Sequence, residues 1–444
     1  MKLSRRQLLL GGGAAAIAAP GILGALTAPR GVEINVERDL SLWTLQLPTQ
    51  PSFKPLDHSR KVDLAIIGAG YTGLSCAYYA KKMRPDWNVI VLESHMVGSG
   101  ASSRNSGIVY ARQVGINNQD FADRGFERLK AFIDDQQIDC DFMPSPTLIL
   151  ANNSSQAATL ISRMTSNERW IPAPRLNERL HSRSYNGGVV SPGYYKIQPA
   201  KLLSGHLKAA FDVGVEIFEQ SPATKIYHGK VVTINTPGGD VTASHAMVAT
   251  NAYSSRLGIF PHTAFPIHQY TLATRQLTLD EINRYGLDQW TTRFEKVTLP
   301  VTFSLTPTRH FFMRMVLGYE KFDSQVWHSP EGAKATALNL FEKRYPNIRE
   351  LQPDIAWHGV TGHTVSEKPV FSVIGENNVH IGIAYNGLGI MPGHNIGYLS
   401  ASRITGNPDP DVQFLEDTAG SLPIPRDYYR NMMLQSVMKL ASPV

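Results

Sequence analysis

Val62 to Ile67 forms a short apolar run with Asp63 as its only charge, a pattern that predicts a buried parallel strand. Three glycines interrupt it in "GAGYTG", residues 68–73, and from Leu74 apolar residues return at helical spacing through "LSCAYYAKKM". "NVIVLE", residues 88–93, reads as a second buried strand. Strand, glycine turn, helix and strand together predict a βαβ unit of a parallel, Rossmann-like sheet. Farther along, "FPIHQYTLATRQL" and "RHFFMRMVLGYE" alternate and carry β-branched and aromatic residues, which predicts sheet of a second, mixed kind. The fold class expected is therefore α/β, α+β over the whole chain, and no internal repeat is evident.

The glycines have separate tasks. Gly68 permits a tight turn, Gly70 lets backbone approach a pyrophosphate, and Gly73 lets helix and strand pack closely. The helix that starts at Tyr71 and Thr72 presents free N–H groups and a positive dipole end to phosphates. Glu93 lies 20 residues beyond Gly73 at the end of the second strand, where a carboxylate accepts hydrogen bonds from a ribose diol and repels a 2′-phosphate. Ser94 follows it. The unit points to a dinucleotide other than NADP.

Composition changes the picture little, and charge somewhat more. At 444 residues the chain is long enough for two domains, with 42% hydrophobic and 18% charged residues. The net charge of +6 comes largely from Lys2, Arg5, Arg6 and Arg30, and the rest of the chain is nearly balanced. No clustered basic stripe marks a nucleic-acid partner. The leader "MKLSRRQLLLGGGAAAIAAPGILGALTAPR" resembles a bacterial twin-arginine export signal, which implies the twin-arginine export machinery as a partner and a periplasmic or exported destination. Residues 8–28 are uncharged and long enough to span a bilayer, so a retained inner-membrane anchor is the alternative. Cys76 and Cys140, the only cysteines, read as core thiols, and two cysteines cannot build a zinc or iron–sulfur site alone. No metal is expected.

"GSGASSRNSG", residues 98–107, follows the Glu93 strand directly and is small, polar and glycine-rich. Here the chain resembles FAD-dependent oxidoreductases of the D-amino-acid oxidase and glycine oxidase superfamily, in the branch containing gamma-glutamylputrescine oxidase. Gly100, Ala101, Ser102, Arg104, Asn105 and Gly107 match that branch's loop, while Ser103 and Ser106 stand where it has glycines. The resemblance implies that this loop runs along the ribityl chain and the flavin ring. It implies a tight turn at Thr250 and Asn251 closing the FAD domain, and backbone contacts from Lys225 and Ile226 to adenine. It extends over nearly all of residues 40–405. "AYNGLGIMPGHNIGYL", within the last flavin-binding stretch, would start a helix whose N-terminus faces the flavin, with Gly387 and Gly389 allowing close approach. Relatives with covalent flavin use a cysteine in the C-terminal half or a histidine in the glycine-rich loop. This chain has no cysteine beyond Cys140, and Arg104 takes the loop position, so FAD is expected to be non-covalent.

The organisation expected from the resemblance is a signal over 1–30, a lead-in over 31–57, a discontinuous FAD-binding domain over 58–110, 190–260 and 355–405, a mixed-sheet substrate domain over 111–189 and 261–354, and an extension over 406–444. The expected chemistry is oxidation of a C–N bond of an amine or amino acid by hydride transfer to flavin N5, with electrons passing to oxygen or to a membrane quinone. Oxidation of a C–OH substrate and a flavin-bearing accessory protein are the alternatives. The flavin performs the redox step and the protein orients the substrate and excludes water. Arg309 and Arg314 are candidates to meet an acidic substrate. His358 is a candidate to tune the amine's proton, and Tyr385 to line the ring.

Overall fold

The computed structural model describes residues 40–418 except 49, 112–115, 117, 183, 289, 296–300, 320–329, 347–350 and 352, together with residue 436. The leader and the basic run 426–440 lie outside them, apart from residue 436 of that run. Strand Arg60–Ile67 pairs in parallel with Val89–Leu92 on one side and with Gly239–Val248 on the other. Glu216–Phe218 extends the parallel array beyond Val89–Leu92, and Val379–Ile383 extends it at the opposite side. Val89–Leu92 and Val379–Ile383 are buried throughout, and Arg60–Ile67 and Gly239–Val248 toward their C-terminal ends, as expected where both faces are covered. Helices Tyr71–Met83, Pro199–Asp212 and Ile390–Ile404 supply the core on one face. An antiparallel meander, Lys225–His228 with Val232–Thr236, joins the sheet through Gly239–Val248.

A second sheet has eight strands in the order Pro353–His363, Phe265–Thr274, Phe311–Tyr319, Thr302–Leu305, Thr292–Glu295, Thr147–Leu150, Gly187–Ser191 and Arg169–Pro172. All its pairings are antiparallel except Thr292–Glu295 with Thr147–Leu150. A third, small sheet joins Ile108–Tyr110, Tyr194–Lys196 and Met143–Pro144. The segment 355–405, grouped as one flavin segment from sequence, divides between sheets. Its first part runs as the outer strand of the second sheet because Phe265–Thr274 pairs along nearly its whole length with Pro353–His363, while Val370–Ile374 and Val379–Ile383 join the first. Helix Gln119–Asp135, grouped with the substrate segment, packs on Ile390–Ile404, where Arg128 donates to Asn395 Oδ1 at 2.9 Å. Cys76 and Cys140 are buried free thiols.

Candidate functional site

The glycine turn is built as the sequence predicts. Gly68 has φ +104°, and a Cβ there would sit 2.9 Å from the Ala249 carbonyl oxygen. A Cβ on Gly73 would lie 1.9 Å from Gly68 O, an overlap with backbone that only glycine avoids. Gly70 caps helix Tyr71–Met83 without a side-chain hydrogen bond, and no acid lies in the first turn. That positive helix end suits a pyrophosphate. Glu93 stands beside it: its carboxylate accepts from Ala69 N at 3.0 Å, from the neighbouring Ser94 hydroxyl at 3.1 Å and from His95 N at 3.1 Å. The side chains of Tyr71 and Thr72 turn away from the cradle. The Tyr71 hydroxyl donates to Pro199 O at 2.8 Å, and the Thr72 hydroxyl pairs with Tyr385 Oη at 2.6 Å.

Loop 98–107 is fastened from three directions. Ser41 Oγ donates to Ser103 O at 2.5 Å and the Trp43 indole donates to Asn105 O at 2.7 Å, so the short helix Leu42–Leu45 holds its near side. From the second sheet, the Trp357 indole donates to Arg104 O at 3.0 Å, and Arg104 Nη1 returns a bond to His358 O at 2.9 Å. Internally, Asn105 Nδ2 donates to Ala101 O and Ser102 O, and Asn105 Oδ1 accepts from Gly107 N at 2.8 Å. Ser102 Oγ accepts from Tyr71 N at 3.1 Å, joining loop to helix start. Gly107 has φ +63°, with Ile197 O 2.4 Å from where a Cβ would stand. At Gly100 a Cβ would meet nothing within 4 Å.

The turn after Val379–Ile383 stores backbone strain. Ala384, Asn386 and Gly387 have φ of +62°, +55° and +82°. Non-glycine residues hold that conformation only where surroundings over-determine it. Here Asn251 Oδ1 accepts from Ala384 N at 3.0 Å, Asn386 N donates to Gly362 O at 3.0 Å, and Asn386 Oδ1 accepts from Thr364 N at 2.8 Å. Asn251 is itself at φ +45°, and the hydroxyl of Thr250 pairs with Ser254 Oγ at 2.8 Å. Gly389 then caps helix Ile390–Ile404 with no side-chain bond and no acid in the first turn, a second positive helix end.

The second sheet brings a polar wall to the same place. Side chains alternate along a strand, and the pairings put Trp357, Thr271, Arg314, Thr302 and Phe294 in one row across one face. Trp357 touches the cofactor loop, so this face is the one turned toward it. Arg314 is buried, donating to Gln269 Oε1 at 2.8 Å and to Thr302 Oγ1 at 3.3 Å. Desolvation lowers its pKa to about 10. Gln269 Nε2 donates to Thr361 Oγ1 at 2.8 Å, and Thr361 Oγ1 lies 2.9 Å from His363 Nε2. The first two links are directional, Gln269 accepting from Arg314 and Thr361 accepting from Gln269. The chain reaches Gly387, whose notional Cβ is 3.7 Å from His363 Nε2. Burial and the Arg314 charge lower the His363 pKa to about 3, so the ring stays neutral. Glu295, on the neighbouring strand, faces the opposite way and is paired with Arg344.

Of the residues singled out from sequence, Arg314 alone brings a charge to this wall. Arg309 sits at φ +64° in the turn before Phe311–Tyr319, bordering a surface cleft with Gln276 to Asp280. His358 alternates with Trp357, so its imidazole lies on the other face, stacked at 5.0 Å on His268 with Nε2 2.9 Å from His268 Nδ1. Tyr385 is spent structurally: besides Thr72 it donates to Gly382 O at 2.9 Å. Lys225 and Ile226 pair with Asn235 and Ile234 on the edge hairpin, while the backbone of Glu93 meets Ser221, whose N–H donates to its carbonyl at 2.8 Å. Gln269, Thr361, His363, Trp43 and Trp357 were not reached from sequence. The alternation in "HQYTLAT" is the one signal that could have set Gln269 apart from its buried neighbours. No group of three or more metal-ligating side chains occurs among the described residues, and no helix among them is long and apolar enough to cross a membrane.

A glycine cradle, two helix ends with glycine at the N-cap and no acid in the first turn, and an acidic residue at the ribose position fit FAD, and the fold and site define a flavin-dependent oxidoreductase. The chain belongs to the FAD dependent oxidoreductase family (DAO), whose model matches residues 63–403. It is 26% identical over 381 residues to gamma-glutamylputrescine oxidoreductase of Escherichia coli strain K12, covering 80% of this chain and 86% of that protein. Among solved structures, glycine oxidase from Geobacillus kaustophilus superposes with a TM-score of 0.67 at 19% identity, over 79% of this chain and 96% of that one. Iminodiacetate oxidase from Chelativorans sp. BNC1 superposes with a TM-score of 0.65 at 15% identity, over 82% and 100%.

Proposed function

We propose that this chain oxidises the C–N bond of a carboxylate-bearing amine or amino acid, with Arg314 binding the carboxylate. One observation carries the reading: Arg314 is buried on the wall facing the cofactor loop, and among the described residues no carboxylate pairs with it. A buried, unneutralised cation needs an anion. The names of the relatives, amine and amino-acid oxidoreductases, support the same substrate class.

Bound FAD, held non-covalently, supplies hydride acceptance. The protein's part is geometric and electrostatic. Arg314 and the Gln269–Thr361–His363 chain orient the carboxylate, and a wall with positive charge and, among the described residues, no acid paired with it favours the neutral amine, the form that can be oxidised. The positive end of helix Ile390–Ile404 favours negative charge on whatever binds at Gly387–Gly389. Electrons pass to oxygen or to a membrane quinone. The twin-arginine leader supports export of the folded, cofactor-loaded protein to the periplasm.

The test is the visible spectrum of the protein without residues 1–30, before and after anaerobic addition of carboxylated and uncarboxylated amines. Bleaching of the flavin band by carboxylated amines, with ammonia or a free amine released, is the expected result. Bleaching only by hydroxy acids would replace C–N by C–OH oxidation, and no bleaching would favour an accessory role.

A further inference from the structure

Strand Thr302–Leu305 anchors two buried cations. At one end Thr302 Oγ1 accepts from Arg314 at 3.3 Å, and at the other Leu305 O accepts from Lys196 Nζ at 2.7 Å. Lys196 belongs to Tyr194–Lys196, and its register partner Ile108 directly follows Gly107 of the cofactor loop. Tyr194 shares the Lys196 face by alternation. Its ring lies 5.6 Å from Phe294, the register partner of Thr302. The small sheet therefore turns Lys196 toward the wall that carries Arg314.

Both cations are 7% exposed. Among the described residues neither pairs with a carboxylate, and the charge that adds to burial in shifting Lys196 is another cation, Arg293. An ammonium group has three donors, and Leu305 O takes one. Burial and Arg293 push the Lys196 amine down to about 7, the direction expected of an ammonium held without a counter-ion. Three residue steps at about 3.3 Å each put the two anchor points about 10 Å apart. Two cations fastened to one strand at that separation suit a ligand with an anion at each end of a short aliphatic chain.

We infer that the substrate is a dianionic amine, with Arg314 holding one carboxylate and Lys196 selecting for a second across a short aliphatic chain. A monocarboxylate neutralises one buried cation, and a dicarboxylate neutralises both. This inference rests on the reading of Arg314 as a carboxylate anchor.

The test is calorimetric titration of the FAD-loaded protein at about pH 8, above the Lys196 value, with glutarate and with valerate, which has the same chain length and one carboxylate. Glutarate should bind about tenfold tighter or more. Repeating the titration in buffers of different ionisation enthalpy should show proton uptake with glutarate and not with valerate. Lys196→Gln keeps a donor for Leu305 O but has no charge, and should bring the two affinities together and abolish the uptake. Lys196→Arg should keep the preference and lose the uptake. Equal affinities in the wild type, or a preference surviving in Lys196→Gln, would overturn the assignment to Lys196 while leaving Arg314 standing. Failure of both acids to bind the wild type would overturn both readings.

Discussion

Arg314 is buried among neutral donors and acceptors, so its whole charge is available to a ligand. Arg314→Met should cut kcat/KM for a carboxylated amine by about 10²- to 10³-fold, most of it in KM, as stopped-flow flavin reduction would show. Arg309→Ala, in a surface turn, should leave the same rates within about twofold. Gly73 is the other extreme, since nothing about it is chemical. A methyl group there would overlap Gly68 O at 1.9 Å, backbone against backbone, with no side chain able to give way. Gly73→Ala should purify with little or no flavin, read from the ratio of visible to ultraviolet absorbance. Wild-type flavin content in that variant would disprove the close helix–strand contact.

At the scale of elements, the cofactor loop is held in place by groups outside it. Trp357→Phe keeps the packing on Phe312 and removes the donor to Arg104 O. Losing one buried partner costs about 1–3 kcal/mol, so FAD should dissociate about ten times faster or more, measured by flavin fluorescence on dilution. Such ties also explain what was legible beforehand. The turn at Gly68–Gly73 with Glu93 was legible because every residue there acts on backbone within one βαβ unit. Arg314, the proposed carboxylate anchor, is in sequence only one of two candidate arginines, because choosing between Arg309 and Arg314 requires knowing which falls in a strand and which in a turn. Placing His358 needed the pairing register, since a strand's two faces differ by one residue. In the chain from Arg314 through Gln269 and Thr361 to His363, the first two links cross strand pairs and only the last joins residues two apart on one strand. No local pattern encodes the crossings.

Over the whole molecule, several histidines are kept neutral in the interior. His206 is lowered to about 4 and His380 to about 3, His394 is lowered as well, and in each burial is the largest cause. In the unfolded chain each returns to about 6.5. Between those values the native state binds fewer protons than the unfolded one, so stability is full above about pH 6.5 and drains as pH falls through that range, by about 2 kcal/mol per histidine at about pH 5. Denaturant midpoints should therefore fall steeply from pH 7 to 5. Neither ring nitrogen of His380 has a hydrogen-bond partner among the described residues. His380→Leu should consequently flatten that fall and match or exceed wild-type stability at pH 7. A steeper fall in the variant would show that the ring is charged in the native state.

Trp43 closes one side of the cofactor loop, and the helix begun at Gly389 closes the opposite side of the site, where Gly397 packs so tightly on Tyr71–Met83 that a Cβ would stand 2.6 Å from Thr72 O. Residues 41 to 404 must all be present before these pieces meet. A chain still being synthesised therefore displays its glycine turn long before it can retain a nucleotide. The prosthetic group is retained only once the chain has been made through residue 404, and a yellow colour certifies that this far stretch has folded back on the near one.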